Sequence, residues 1–264
     1  MAAALDGVLA LVEGSGRPAN SFLAPDVQTW IASPAQGLTA SVDVVKGPGA
    51  SAAALADLSP SSLTLAAAVV SDRVSWAEVT RRGGGDPETC LAGLTYDHRG
   101  AVSRVVWLRA PLVPASAEVD DQSAAPDARP VLERYVADLM SSSFREAASH
   151  FTPDTIYSHP PYSDGTERVL FRGREALCGG FVTERGPSPA RQIITQRWQR
   201  GSRVFVEGVV DGIPGGGTFF STAQISPGGE IARYVAFYSA IRIPHDPRPR
   251  SGRAVSLARA IELR

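Results

Sequence analysis

The chain has 264 residues, 44% of them hydrophobic and 20% charged, with a formal net charge of -1. That length is enough for two domains with separate cores, and the composition excludes a disordered or fibrous chain. The near-neutral balance supplies no field to gather nucleic acid or an anionic membrane, so neither is expected as a partner.

The opening residues, MAAALDGVLALVEG, place Leu5, Val8, Leu9 and Val12 on one helical face and carry Asp6 and Glu13 without a basic region. They predict an amphipathic helix over 4–13, not a signal peptide. No apolar run approaches the length that crosses a bilayer. Cys90 and Cys178 are the only cysteines and are expected as free thiols in a reducing cytosol. Lys46 is the only lysine, and with abundant Ala, Gly and Pro this suggests a bacterial, cytoplasmic protein.

A short helical turn is expected around 18–23, then the segment FLAPDVQTWIASP at 22–34, and a small helix at 52–58. From Leu63 the pattern becomes that of strands, at 63–71, 73–81, 89–97 and 101–109, separated by turn residues such as Ser71-Asp72 and Asp97 to Gly100. Residues 114–127, PASAEVDDQSAAPD in the main, have almost nothing to bury and read as a linker. A second unit follows, with a helix from Pro130 whose stripe is Val131, Leu132, Tyr135, Val136 and Leu139, and a short helix at 144–150. Strands are then predicted at 191–200, 203–211, 217–225 and 230–243. The tail after Pro244 could form one short amphipathic helix.

The second unit repeats the first. Setting Pro25-Asp26 on Pro153-Asp154 gives an offset of 128, and 95–111 runs without a gap against 224–240, sharing a turn glycine (Gly100, Gly229) and an arginine (Arg104, Arg233). A fixed-period match of whole units predicts two copies of one domain. The expected division is 1–114, a linker at 115–127, 128–244 and a tail at 245–264. Helices followed by an antiparallel meander make each unit α+β.

The (F/Y)xPD motif, the leading helices and the four-strand meander resemble the nuclear transport factor 2-like superfamily, and within it the SnoaL-like polyketide cyclases and ketosteroid isomerases. The resemblance implies two cystatin-like α+β cones, each a curved antiparallel sheet around N-terminal helices, packed as an intramolecular pseudo-dimer. It also implies a small-molecule ligand and no cofactor.

Residue by residue, the resemblance sets His159-Pro160 at the isomerases' acidic base and Tyr135 at their oxyanion-binding tyrosine. Tyr234 and Tyr238 fall among the pocket-lining positions, whereas the second oxyanion donor, an aspartate, falls at Ser221. A histidine there suits proton transfer near neutral pH, and a buried phenol can donate to a developing oxyanion. Tyr157 shares the strand parity of His159 and is a candidate pocket phenol. Glu207, alternating with Phe205, Val209 and Asp211, is a candidate second acid or base if its face is the concave one. Trp198 is expected as a pocket wall, and Arg172, with Arg168 and Arg174, as a candidate anion clamp set against pairing with Glu167 and Glu175.

The first unit has Ile31 for His159, Thr29 for Tyr157 and Val105 for Tyr234, while five of the six tyrosines lie in the second. One working pocket is therefore expected, in the second unit. No HExxH, CxxC pair, phosphate loop or GxSxG is present. Three functions stay open: a cofactor-independent isomerase, cyclase or dehydratase acting on a small apolar, polyketide-like metabolite; a noncatalytic binding or assembly module; and epoxide opening, which requires Glu207 and Asp211 to face one cavity.

Overall fold

A computed structural model describes residues 6–10, 21–32, 42–58, 62–82, 86–115, 124–162, 167–212 and 216–245. Within it the chain divides into two compact units, the first reaching Leu112 and taking in Ile243, the second running from Val113 to Arg242.

In the first unit a helical turn at 6–10 precedes β1 (Leu23–Ala32), β2 (Val42–Lys46), α1 (Pro48–Ala56), β3 (Ser62–Val70), β4 (Val74–Arg82), β5 (Glu88–Tyr96) and β6 (Val102–Pro111). The second unit contains α2 (Arg129–Met140), α3 (Phe144–Ser149), β7 (Phe151–His159), β8 (Val169–Arg172) and α4 (Arg174–Gly180). α4 runs on into a π-helical turn, Phe181–Arg185, and β9 (Arg191–Arg200), β10 (Arg203–Asp211), β11 (Gly217–Ile225) and β12 (Ile231–Ser239) complete the unit.

The two sheets have the same order, β2-β1-β6-β5-β4-β3 and β8-β7-β12-β11-β10-β9, so the repeat in sequence is a repeat in topology. Each sheet has six strands where four were expected, and each is mixed where an antiparallel sheet was expected. β1 and β7 pair parallel to the last strand of their unit, and β2 and β8 add antiparallel edges. The Pro-Asp motif had hidden this. Between the pairs Phe151↔Ile231 and Ile156↔Arg233 the register jumps, so Pro153-Asp154 sits in a bulge, where proline need not donate to the ladder. The same jump separates Leu23↔Val102 from Gln28↔Arg104.

The turn into the following helix is also shared. Gly47 and Gly173 have φ of 84° and 88°, a left-handed conformation that a side chain would strain, and each donates its N–H back to its motif strand, to Val27 O and Thr155 O. Residues 18–20 of the turn expected at 18–23, and the tail from 246 on, lie outside the described residues; Leu23 itself opens β1. Of the expected linker, 116–123 likewise lie outside them.

In the second unit α2, α3 and α4 cover one face of the sheet. Val131, Leu132, Tyr135, Val136 and Leu139 of α2 join Phe151 and Tyr157 of β7, Val204, Val206 and Val210 of β10, Phe219 and Ala223 of β11, and Tyr234 and Ala236 of β12 in one core. That inward face carries the site. In the first unit the corresponding core holds Val8, Val27, Leu55, Val105 and Trp107. Cys90 is buried and Cys178 half-buried, and both are free. Among the described residues no helix is long and apolar enough to cross a membrane.

Candidate functional site

The inward face of the second sheet encloses a cavity of about 240 Å³, walled by aromatic rings and prolines, with Tyr135, His159, Tyr162, Arg185, Gln192 and Tyr234 as its principal polar groups. Strand period and helix stripe place them. Tyr157 and His159 are two apart on β7 and so project to one side, and Tyr234, Ala236 and Tyr238 do the same on β12. α2 brings Tyr135 down onto them. Beyond the strand, Pro160-Pro161 fold the chain back so that the ring of Tyr162 stacks on His159, with centroids 4.6 Å apart.

His159 neighbours a second tyrosine: the Tyr157 ring lies nearly parallel to it, with centroids 6.1 Å apart. Its Nδ1 is 2.7 Å from the Pro160 carbonyl oxygen, which can only accept, so the proton of the neutral imidazole sits on Nδ1. Nε2 then carries the lone pair. Burial pulls the pKa of His159 down to about 3; the Pro160 bond opposes this, and the charges of Arg168 and Arg185 reinforce it. The imidazole is neutral throughout the working range of pH.

The sign for stability follows from that depression. Between the unfolded value near 6.5 and the folded value of about 3 the unfolded chain binds the extra proton. Stability should therefore fall as the pH drops below about 6.5, by at most about 1.4 kcal/mol per pH unit from this group, levelling off near the folded value. Urea denaturation of wild type and His159→Gln across this range checks it: the variant should lack this part of the slope.

Three phenols form a hydrogen-bonded row beneath the histidine. Tyr157 links Tyr135 at 3.2 Å to Tyr162 at 3.1 Å, oxygen to oxygen. Burial raises the pKa of all three and of Tyr234, so each remains a neutral O–H donor. Tyr234 stacks on Tyr157 at 5.5 Å. The Ser221 hydroxyl lies near enough to Tyr234 to favour its ionised form, without the alignment of a hydrogen bond. Tyr157→Phe should cost about 1–3 kcal/mol, because two buried hydroxyls lose their shared partner; thermal unfolding measures it.

The structure brings His159, Tyr135, Tyr234 and Tyr238 to the cavity, with Tyr157 directly behind its wall. Ser221 is fully buried on the same face but does not reach the cavity surface. The remaining candidates need correction. Glu207 is only 2% exposed, yet the strand alternation that sends Val204, Val206 and Val210 into the core sends Glu207 and Asp211 to the opposite face. Trp198 is paired with Phe205 and lies on that opposite face too. Arg172 is exposed on the edge strand β8, away from the cavity.

Its neighbours have other partners than Glu167 and Glu175. Arg174 pairs with Glu230 at 2.6 Å, while Arg168 donates to Ser158 Oγ and Ala236 O and lies over the Phe237 ring. Epoxide opening by Glu207 and Asp211 is thereby excluded. Sequence reading missed Tyr162, Arg185 and Gln192; the turn-forming Pro-Pro after His159 is the one signal that could have pointed back to Tyr162. Among the described residues no group of three or more His, Cys, Asp or Glu could hold a metal ion.

The first unit differs at one decisive place. Trp107 stands where the second unit has Ala236, at the same remove along the last strand, and its fully buried indole packs in that unit's core beside Ile31. In the second unit a methyl group leaves that space open and forms part of the cavity wall.

The two units are alike in build, each a six-stranded mixed sheet with few helices. Solved structures that match about half of the chain include a nuclear transport factor 2-like protein of unknown function from Cytophaga hutchinsonii, 11% identical, covering 43% of this chain and 90% of its own, with a TM-score of 0.33. Another is a protein with a ketosteroid isomerase-like fold from Catenulispora acidiphila, in complex with trimethylamine, at 20% identity, 44% and 88% coverage and a TM-score of 0.34. A cystatin-fold protein from Novosphingobium aromaticivorans matches at 16% identity, 43% and 99% coverage and a TM-score of 0.34. No family model and no curated protein matches the chain. These likenesses concern the fold and leave the reaction to be argued from the site.

Proposed function

We propose that the second unit is a cofactor-independent proton-transfer enzyme, an isomerase, cyclase or dehydratase, acting on a small, mainly apolar, polyketide-like molecule. The observation that carries this reading is a neutral histidine, its Nδ1 committed to the Pro160 carbonyl, on the wall of a cavity lined by aromatic rings and phenols. In this reading Nε2 takes a proton from a carbon next to a ligand carbonyl. The C–H electron pair moves into the carbonyl, and the enolate oxygen accepts a hydrogen bond from Tyr234, Tyr162 or Tyr135. Returning the proton at another carbon isomerises the ligand; delivering it to a β-hydroxyl expels water and leaves an enone.

A base with a pKa of about 3 is weak in the empty cavity. The imidazolium and the enolate form together, however, and in a low-dielectric cavity each stabilises the other. Incubation with 2-tetralone and with a β-hydroxy ketone in D₂O, followed by NMR, tests the reading: protein-dependent exchange at the α carbon or conversion to the enone is expected. If neither occurs with any ligand shown to occupy the cavity, the catalytic reading fails.

A second reading is a noncatalytic small-molecule binding module. The low basicity of His159, with Nδ1 tied to its own backbone, favours it, and the same experiment separates the two.

A further inference from the structure

Arg185 is the one formally charged side chain among the residues that line the cavity. It ends the π-helical turn that follows α4, and its contacts leave most of its guanidinium uncommitted: Nη1 donates to the adjacent Gly186 carbonyl at 3.0 Å, and the group lies over the Phe144 ring at 5.9 Å. Among the described residues no carboxylate pairs with it. Other arginines of the chain are paired: Arg174 with Glu230, Arg197 with Asp127, and Arg81 and Arg109 with Glu88. Arg168, the other cation acting on His159, is already fixed by Ser158 Oγ and Ala236 O and contributes no atom to the cavity wall.

A guanidinium has five N–H donors in a planar fork that matches a carboxylate in a bidentate pair. Arg185 is half-buried at the cavity wall, where a guanidinium with no protein counter-ion is open to pairing with a ligand anion. We propose that the ligand of this cavity carries a carboxylate that docks on Arg185, while its apolar body lies among the aromatic rings near His159. The proposal rests on the cavity being a ligand site and specifies the ligand class: apolar carboxylic acids, with amines and quaternary ammonium compounds rejected. Ser188 and Gln192, which also line the cavity, are placed to add neutral donors.

The test is calorimetric titration of the full chain with trans-cinnamate and, as its uncharged isostere, trans-cinnamamide. Cinnamate should bind at least about tenfold tighter. Arg185→Gln should abolish that preference while leaving cinnamamide affinity nearly unchanged, and Arg185→Lys, which keeps the charge without the fork, should retain part of it. Equal affinity of the two probes, absence of binding by either, or an undiminished preference in Arg185→Gln would overturn the proposal. Should Arg185→Gln fail to fold, an undiminished preference in Arg185→Lys overturns the forked contact. Proton transfer is judged separately by exchange in D₂O, so carboxylate docking can fail while catalysis by His159 stands, and the reverse.

Discussion

Replacing His159 with Gln should lower turnover of an accepted ligand by about 100- to 10,000-fold, the usual contribution of a positioned general base, and change ligand affinity by no more than about threefold. Glutamine keeps the size and polarity of the imidazole but has no basic nitrogen, so binding and proton transfer separate. Because His159 is already neutral, its pKa being about 3, the wild-type kcat/KM should show no decline from this group between about pH 8 and pH 5, where an ordinary histidine would lose activity below about 6.5. The measurement is α-proton exchange or dehydration rate against pH for both proteins. A variant with unchanged turnover would remove His159 from the chemistry, and an acid limb centred near 6.5 would contradict the burial argument.

Ala236→Trp should close the cavity. The chain has already carried out this substitution in its other copy, where Trp107 is fully buried at the matching place. The second unit's space of about 240 Å³ is bounded partly by the Ala236 methyl group, so an indole there displaces ligand rather than backbone. Affinity for any cavity ligand should fall by about 100-fold or more, roughly 3 kcal/mol. Stability should change little, since overpacking costs about 1–3 kcal/mol when a side chain has nowhere to go and here it enters open space. Titration calorimetry and thermal unfolding of the variant decide it. Ligand binding that survives the substitution would place the binding site elsewhere.

Several parts of this molecule were legible as sequence because they depend on periods and on repetition. The tandem architecture follows from an offset that holds across whole segments, and the strands β3 to β6 and β9 to β12 follow from apolar alternation between turn residues. The stripe of α2 is visible at helical spacing and carries Tyr135 inward with it. The rest needed tertiary structure for particular reasons. β1 and β7 were hidden because Pro-Asp breaks their alternation and only a bulge against a distant parallel strand restores it.

Glu207 shows the limit most plainly: alternation states which residues share a face but not which face the helices will cover, and the helices cover the other one. Arg185 and Tyr162 reach the cavity by a π-helical turn and a Pro-Pro reversal, neither of which has a period to read. By itself, then, the amino-acid sequence determined the repeat, the meander strands and which copy kept its tyrosines, since those are local and additive. Only the tertiary structure decided which face became the cavity, which arginine reached its wall and which alanine stands there in place of the other copy's tryptophan, because packing between distant segments selects among alternatives that local propensity leaves equal.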